Sequence, residues 1–127
     1  MSAVFPVLVF ERDSGDLMRF NSVLEMQKQL ERIDVENNEY LAWESGGRPI
    51  AMVVEEPLWL RLEPKSEEPD MAGLWGALQS FAESRGVKLK GDHQNMSPLA
   101  LYDQIIAQKP AARSGPLRRL FTRYRRG

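Results

Sequence analysis

The chain has 127 residues, of which 43% are hydrophobic and 28% charged, so it can form a globular domain and is not disordered throughout. It has no cysteine, which excludes disulfides and thiolate zinc sites and fits a reducing compartment. The formal net charge of −1 hides an asymmetry: residues 113–127 have six arginines and no acid, and the rest has 11 bases and 18 acids. The apolar run at residues 3–10 is too short to cross a bilayer and lacks the basic flank of a signal peptide, so we expect a cytoplasmic protein.

The first third of the chain predicts a β-hairpin followed by a helix. Val4–Phe10 is mostly apolar and predicts a strand, residues 11–16 form a polar turn, and Leu17–Phe20 returns as a short second strand. Ser22 and Glu25 then match a capping box, which predicts a helix over Val23–Arg32. Its apolar stripe consists of Val23, Met26, Leu30 and Ile33.

Residues 39–63 predict a three-stranded antiparallel meander, on which the other elements can pack. The strands correspond to three apolar runs, Tyr40–Trp43, Ile50–Val54 and Leu58–Leu62. Ser45–Gly47 separates the first two runs and predicts a hairpin turn, because glycine adopts positive φ without a Cβ clash. Pro57 cannot donate to a ladder and therefore marks the start of the third strand.

The second half of the chain predicts two helices. An acidic, proline-rich linker at residues 63–70 precedes a helix that ends at Gly86, and Val87–Lys90 predicts a short edge strand. Ser97 and Pro98 have the cap and first-turn chemistry of a helix start, and Pro110 ends that helix. The residues at helical spacing are Met71, Leu74, Trp75, Leu78, Phe81 and Ala82 in the first helix, and Leu101, Tyr102, Ile105 and Ile106 in the second.

Together these elements predict an α+β fold. An antiparallel sheet, made of the N-terminal hairpin plus the three-stranded meander, is packed by two or three helices. Residues 1–110 form a single domain, and residues 111–127 form a basic amphipathic tail. Trp43, Trp59 and Trp75 are expected in the core, and one of them left exposed would indicate a binding face.

The tail is the most specific functional feature of the sequence. Leu117, Leu120, Phe121 and Tyr124 lie at i, i+3, i+4 and i+7, and arginines occupy the remaining face. Such a helix suits an anionic membrane surface or a nucleic-acid backbone, but it could equally dock on an acidic protein groove, including this protein's own body. The alternative is a solvated terminus without a specific role. The candidate contact residues are Arg113, Arg118, Arg119, Arg123, Arg125 and Arg126.

The second candidate site is an acidic surface on the meander. Carboxylates collect before and within its strands, and such a face can attract a basic protein, since charge complementarity raises the association rate. The alternative is a solvated face, because exposed loops and strands collect carboxylates anyway. The predicted partner-binding residues are Glu36, Glu39, Glu44, Arg48, Glu55, Glu56 and Trp59.

Few residues favour catalysis. His93 is the only histidine and stands beside Asp92, so a general base is conceivable, but a surface-loop histidine without a role is the favoured interpretation. No nucleophile motif occurs, and one histidine without cysteine excludes the common zinc arrangements. We therefore predict no catalytic residues, no metal site and no cofactor.

In size and charge the chain is similar to small bacterial immunity and antitoxin proteins, which are compact, acidic α+β domains. The resemblance implies an inhibitor that occludes a basic toxin or enzyme. The leading hypothesis is therefore a non-catalytic interaction module with a basic protein partner. The alternatives are binding of an anionic surface through the tail, and a small enzyme using His93.

Overall fold

The computed structural model describes residues 3–89 and 96–108 of the chain. These residues form five strands and four helices. In chain order they are β1 (Val7–Glu11), β2 (Leu17–Phe20), α1 (Val23–Gln29), α2 (Arg32–Glu36), β3 (Tyr40–Glu44), β4 (Pro49–Val54), β5 (Leu60–Pro64), α3 (Met71–Ser84) and α4 (Pro98–Ala107).

The five strands form one antiparallel sheet in the order β2-β1-β3-β4-β5. The N-terminal hairpin joins the meander because β1 pairs with β3, with Leu8 opposite Trp43 and Glu11 opposite Tyr40. β4 pairs with β3 through Ile50 and Pro49, and β5 then pairs with residues 50–54 of β4. β2 and β5 are therefore the edge strands among the described residues.

Helices α3 and α4 cover one face of the sheet. Alternate residues of a strand point to opposite faces, so Leu8, Leu17 and Trp43 share this face. They form a core, here called the α3–α4 core, with the buried side chains Leu74, Ala77, Leu78, Phe81, Ala82, Val87, Leu101 and Ile105. The rings of Phe81 and Tyr102 stack with centroids 5.7 Å apart and join the two helices.

Helices α1 and α2 cover the opposite face. The second core, here called the α1–α2 core, contains Val7, Val9, Phe20, Met26, Leu30, Val35, Tyr40, Ala42, Ile50 and Leu60. Burying large apolar side chains contributes about 1.5–3 kcal/mol each, so both cores stabilise the same sheet from its two sides. The described residues form an α+β fold, as predicted, with four helices instead of two or three.

Local signals placed several elements correctly. β2 has the predicted bounds, and Gly47 in the β3–β4 turn has φ +96°. Ser22 caps α1 by accepting from the N–H of Glu25, and Ser97 caps α4 by accepting from the N–H of Ala100. α3 ends before Gly86, which has φ +71°.

Four sequence expectations need correction. The helix predicted over Val23–Arg32 is two short helices, because the chain is extended at Leu30 (φ −90°, ψ 150°). β1 starts after Pro6, and β5 is shifted to Leu60–Pro64 because the turn after β4 includes Pro57. The predicted edge strand Val87–Lys90 is absent over 87–89, where the buried Val87 packs into the α3–α4 core instead. Lys90 lies outside the described residues.

Within the described ranges, no helix is long and apolar enough to cross a membrane.

Candidate partner-binding surface

Four of the predicted acidic residues lie at one end of the sheet. β3 and β4 are antiparallel, so the start of β3 and the end of β4 share this end. Glu39 directly precedes β3, Glu55 and Glu56 directly follow β4, and Glu36 ends α2. These four residues are here called the acidic rim; Glu36, Glu55 and Glu56 are exposed and Glu39 is partly exposed.

Arg32 holds two members of the acidic rim together. Its guanidinium lies 2.9 Å from Oε2 of Glu56 and 3.6 Å from Oε2 of Glu36. Both pairs are exposed to solvent, where an ion pair contributes about 0–1 kcal/mol. The bridge therefore adds little to the stability of the fold, and one arginine leaves two carboxylates with a net negative charge.

Glu55 belongs to a second cluster, on β5. Nε of Arg61 lies 3.1 Å from Oε1 of Glu55, and Nη1 of Arg61 lies 2.6 Å from Oε2 of Glu63. Hydrogen bonds to Glu63 and Glu55 raise the pKa of the Arg61 guanidinium above its ordinary value. Here again two carboxylates share one cation, so the cluster stays acidic.

Two large apolar side chains are exposed beside the acidic rim. Leu58, in the β4–β5 turn, is 67% exposed, and Ile33, next to Arg32 on α2, is 61% exposed. Trp59 is partly buried and packs against the α1–α2 core. Apolar anchors surrounded by charged groups are typical of protein-binding surfaces.

Glu44 and Arg48 do not belong to this surface. Glu44 is only 4% exposed, at the opposite end of β3, and accepts from Arg48 in two parallel bonds of 2.8 Å each. Its Oε2 also accepts from the N–H of Val4 at 2.7 Å. The bond from Arg48 is the main reason that the pKa of Glu44 is lowered, although burial opposes this. We therefore remove both residues from the predicted contact set, because a carboxylate with these partners is structural.

The structure adds an acidic residue, Asp13, that the sequence did not connect with this end. β1 is antiparallel to β3, so the β1–β2 turn lies beside the start of β3. The N–H of Arg12 donates to the carbonyl of Glu39 at 2.9 Å, and Asp13 next to it is exposed. Only the β1–β3 pairing brings this turn to the acidic rim, and no local pattern in the sequence indicates that pairing.

A surface cavity of about 460 Å³ lies along β2, at the edge of the sheet opposite to β5. It is lined by Met18, Arg19, Phe20, Glu25, Lys28, Gln29 and Tyr102. Burial raises the pKa of Tyr102, while the charges of Arg19 and Arg85 oppose this rise. Arg19 is already paired with Asp103 at 3.2 Å. The described residues of the lining have mixed charge and include no serine, cysteine or histidine.

Two features that the sequence analysis considered lie outside the described residues. One is His93 with Asp92, the basis of the disfavoured enzyme alternative, and the other is the set of six tail arginines. Within residues 3–89 and 96–108, no group of three or more metal-ligating side chains is close enough to hold an ion.

Comparison of the chain with protein-family models, with curated proteins and with solved structures finds no match in any of the three. The functional argument therefore depends on the geometry and charge of the residues themselves.

Proposed function

We propose that this protein is a non-catalytic interaction module that binds a basic protein through the acidic rim. In its specific form, the proposal is an inhibitor of the immunity or antitoxin kind, which occludes a basic toxin or enzyme. Leu58 supplies the apolar anchor, and Glu39, Glu55 and Glu56 supply the surrounding negative charge.

The observation that carries the proposal is the coincidence of exposed apolar and acidic side chains at one end of the sheet. Leu58 lies two residues after Glu56, which Arg32 ties to α2. Acidic residues speed the encounter with a basic partner, whereas a desolvated apolar anchor slows its dissociation. Over the described residues the chain has 17 acidic and nine basic side chains, so the part of the chain that carries the acidic rim is itself negatively charged.

The test is affinity capture from the native host with three forms of the full chain. The rim variant combines Glu55→Gln, Glu56→Gln and Leu58→Ser. The matched control combines Glu67→Gln, Glu68→Gln and Ala72→Ser, which changes the same charge at exposed positions elsewhere. Mass spectrometry should identify a basic protein that the wild type and the control retain and the rim variant loses.

The purified pair should then associate more slowly as salt is added, because screening weakens steering between opposite charges. The proposal is wrong if no basic protein is enriched, or if the rim variant retains the same proteins as the control.

The tail supports a second candidate function, binding to an anionic surface. Its four apolar residues at helical spacing and its arginines favour a lipid headgroup layer or a nucleic-acid backbone. A chain ending at Ala112 should lose binding to anionic liposomes and to DNA, and the binding of the full chain should weaken steeply with salt. Equal binding by the two chains would eliminate this function.

A further inference from the structure

The two edges of the sheet differ in how they are covered. At the β2 edge, Asp103 of α4 pairs with the Arg19 side chain at 3.2 Å, and Tyr102 lines the same surface cavity as Arg19. Side chains of α4 therefore flank β2. At the β5 edge, α1 contacts β5 and Nε2 of Gln27 donates to the carbonyl of Leu58 at 2.6 Å, but the described residues place no further strand beyond β5. An edge strand of this kind is a template for pairing with another strand.

The register of β5 shows which of its backbone groups point outward. The N–H of Glu55 donates to the carbonyl of Trp59, and the N–H of Lys65 donates to the carbonyl of Pro49. With the β4–β5 register, these two bonds show that residues 59, 61, 63 and 65 direct their backbone groups toward β4. Hydrogen-bonded and non-hydrogen-bonded pairs alternate in an antiparallel ladder, so Leu62 turns its N–H and its carbonyl away from β4. The N–H of Leu60 is bonded to the carbonyl of Leu58, and Pro64 has no N–H. The outward ladder is therefore short and centred on Leu62.

The charged side chains of β5 lie on either side of Leu62, so the strand is complementary in charge to a second, antiparallel copy of itself. Arg61 and Glu63 flank Leu62, carry opposite charges, and have side chains 46% and 49% exposed on one face of the sheet. When two such strands pair antiparallel with Leu62 opposite Leu62, Arg61 of each copy stands opposite Glu63 of the other. These are non-hydrogen-bonded positions, where facing side chains come closest, and opposite charges there are stabilising.

We infer that β5 is the strand through which two copies of this chain pair, with a two-fold axis at Leu62. The two Leu62 residues exchange two backbone hydrogen bonds, and Arg61 and Glu63 of both copies form a cluster of alternating charge. The two sheets become one sheet of twice the width. A ladder this short gives a small, reversible interface of the transient kind.

The first test uses the unmodified full chain. Sedimentation velocity over roughly 0.01–1 mM should show a monomer–dimer equilibrium. The amide of Leu62 should exchange with solvent more slowly as the concentration rises, whereas the amide of Arg61, bonded to β4, should be equally protected throughout. A chain that stays monomeric overturns the inference, and so does Leu62 protection that does not change with concentration, because another part of the same chain then covers the edge.

The second test uses charge reversal. Arg61→Glu gives two acids and Glu63→Arg gives two bases on each β5, so each variant should dimerise roughly tenfold to a hundredfold more weakly. An equimolar mixture should recover association, because an acidic β5 then faces a basic one. Glu67→Lys, outside β5, is the control and should dimerise like the wild type. Dimers that persist in both single variants, or a mixture that stays monomeric, would contradict pairing through β5.

Discussion

The carboxylate of Glu44 and the guanidinium of Arg48 form a two-bond ion pair across the β3–β4 hairpin, with both distances 2.8 Å. The same carboxylate accepts from the N–H of Val4 and so ties the segment before β1 to the end of β3. One side chain therefore holds three parts of the chain together. A charged residue of this kind is structural, even though its sequence context is that of a surface strand.

Replacing Glu44 should destabilise the fold. Glu44→Gln removes the charge that faces Arg48 and weakens at least one of three hydrogen bonds, so we expect a loss of roughly 1–3 kcal/mol in the free energy of unfolding. Urea denaturation measures this loss. Glu56→Gln, at an exposed ion pair, is the control and should change stability by less than about 0.5 kcal/mol. Equal effects of the two substitutions would mean that Glu44 is not buried.

The Glu44–Arg48 pair should also make stability depend on pH. The pKa of Glu44 is lowered from its ordinary value of 4.5 in the folded state, mainly by the bond from Arg48. The folded state therefore binds this proton less tightly than the unfolded state, so the stabilisation is complete above pH 4.5 and is lost as the pH falls through the lowered pKa. The stability difference between the wild type and Glu44→Gln should thus shrink on acidification. A difference that is constant from pH 7 to about pH 3 would contradict this.

Asp70 has two functions at the start of α3. Its side chain caps the helix by accepting from the N–H of Gly73 at 3.1 Å, and it accepts from Nε1 of Trp43 at 3.3 Å. Asp70→Ala should cost about 1–2 kcal/mol for the cap and should also leave the indole N–H without this partner. Ser97→Ala, which removes the cap of α4 alone, should cost less. Equal losses on thermal or urea unfolding would mean that the Trp43 bond contributes nothing.

Two apolar residues of α1, one buried and one exposed, allow a matched test of the α1–α2 core. Met26 is fully buried, whereas Leu24 is 60% exposed. Met26→Ala should lower the free energy of unfolding by about 2–5 kcal/mol, because it leaves a cavity among packed side chains. Leu24→Ala should change it by less than about 0.5 kcal/mol. Similar urea midpoints for the two variants would show that α1 is oriented differently.

The two glycines of the β3–β4 turn should respond differently to replacement by alanine. Gly47 has φ +96°, and a Cβ there would collide with Sδ of Met71, whereas nothing lies within 4 Å of a Cβ at Gly46. Gly47→Ala should therefore destabilise the protein by roughly 1–3 kcal/mol. Gly46→Ala should be close to neutral. Unchanged melting of the Gly47 variant would mean that the turn has a different backbone conformation.

The sequence alone determined the features that depend on a few adjacent residues. Ser22 and Ser97 start helices because a side-chain oxygen close to free N–H groups can cap them, whatever the rest of the chain does. Gly47 marks a turn because only glycine adopts its backbone angles cheaply. The hairpin, the meander and α3 follow from hydrophobic periodicity, which depends on the geometry of each element alone.

Only the tertiary structure decided which residues come together across the chain. The extended backbone at Leu30 interrupts the predicted helix, so Ile33, which the single-helix stripe places on the buried face, is 61% exposed. Glu44 is buried because Val4 and Arg48 reach it from other segments, and Asp13 joins the end of the sheet that carries the acidic rim because β1 pairs with β3. These contacts depend on strand order, and strand order is set by the packing of both cores together instead of by any local pattern.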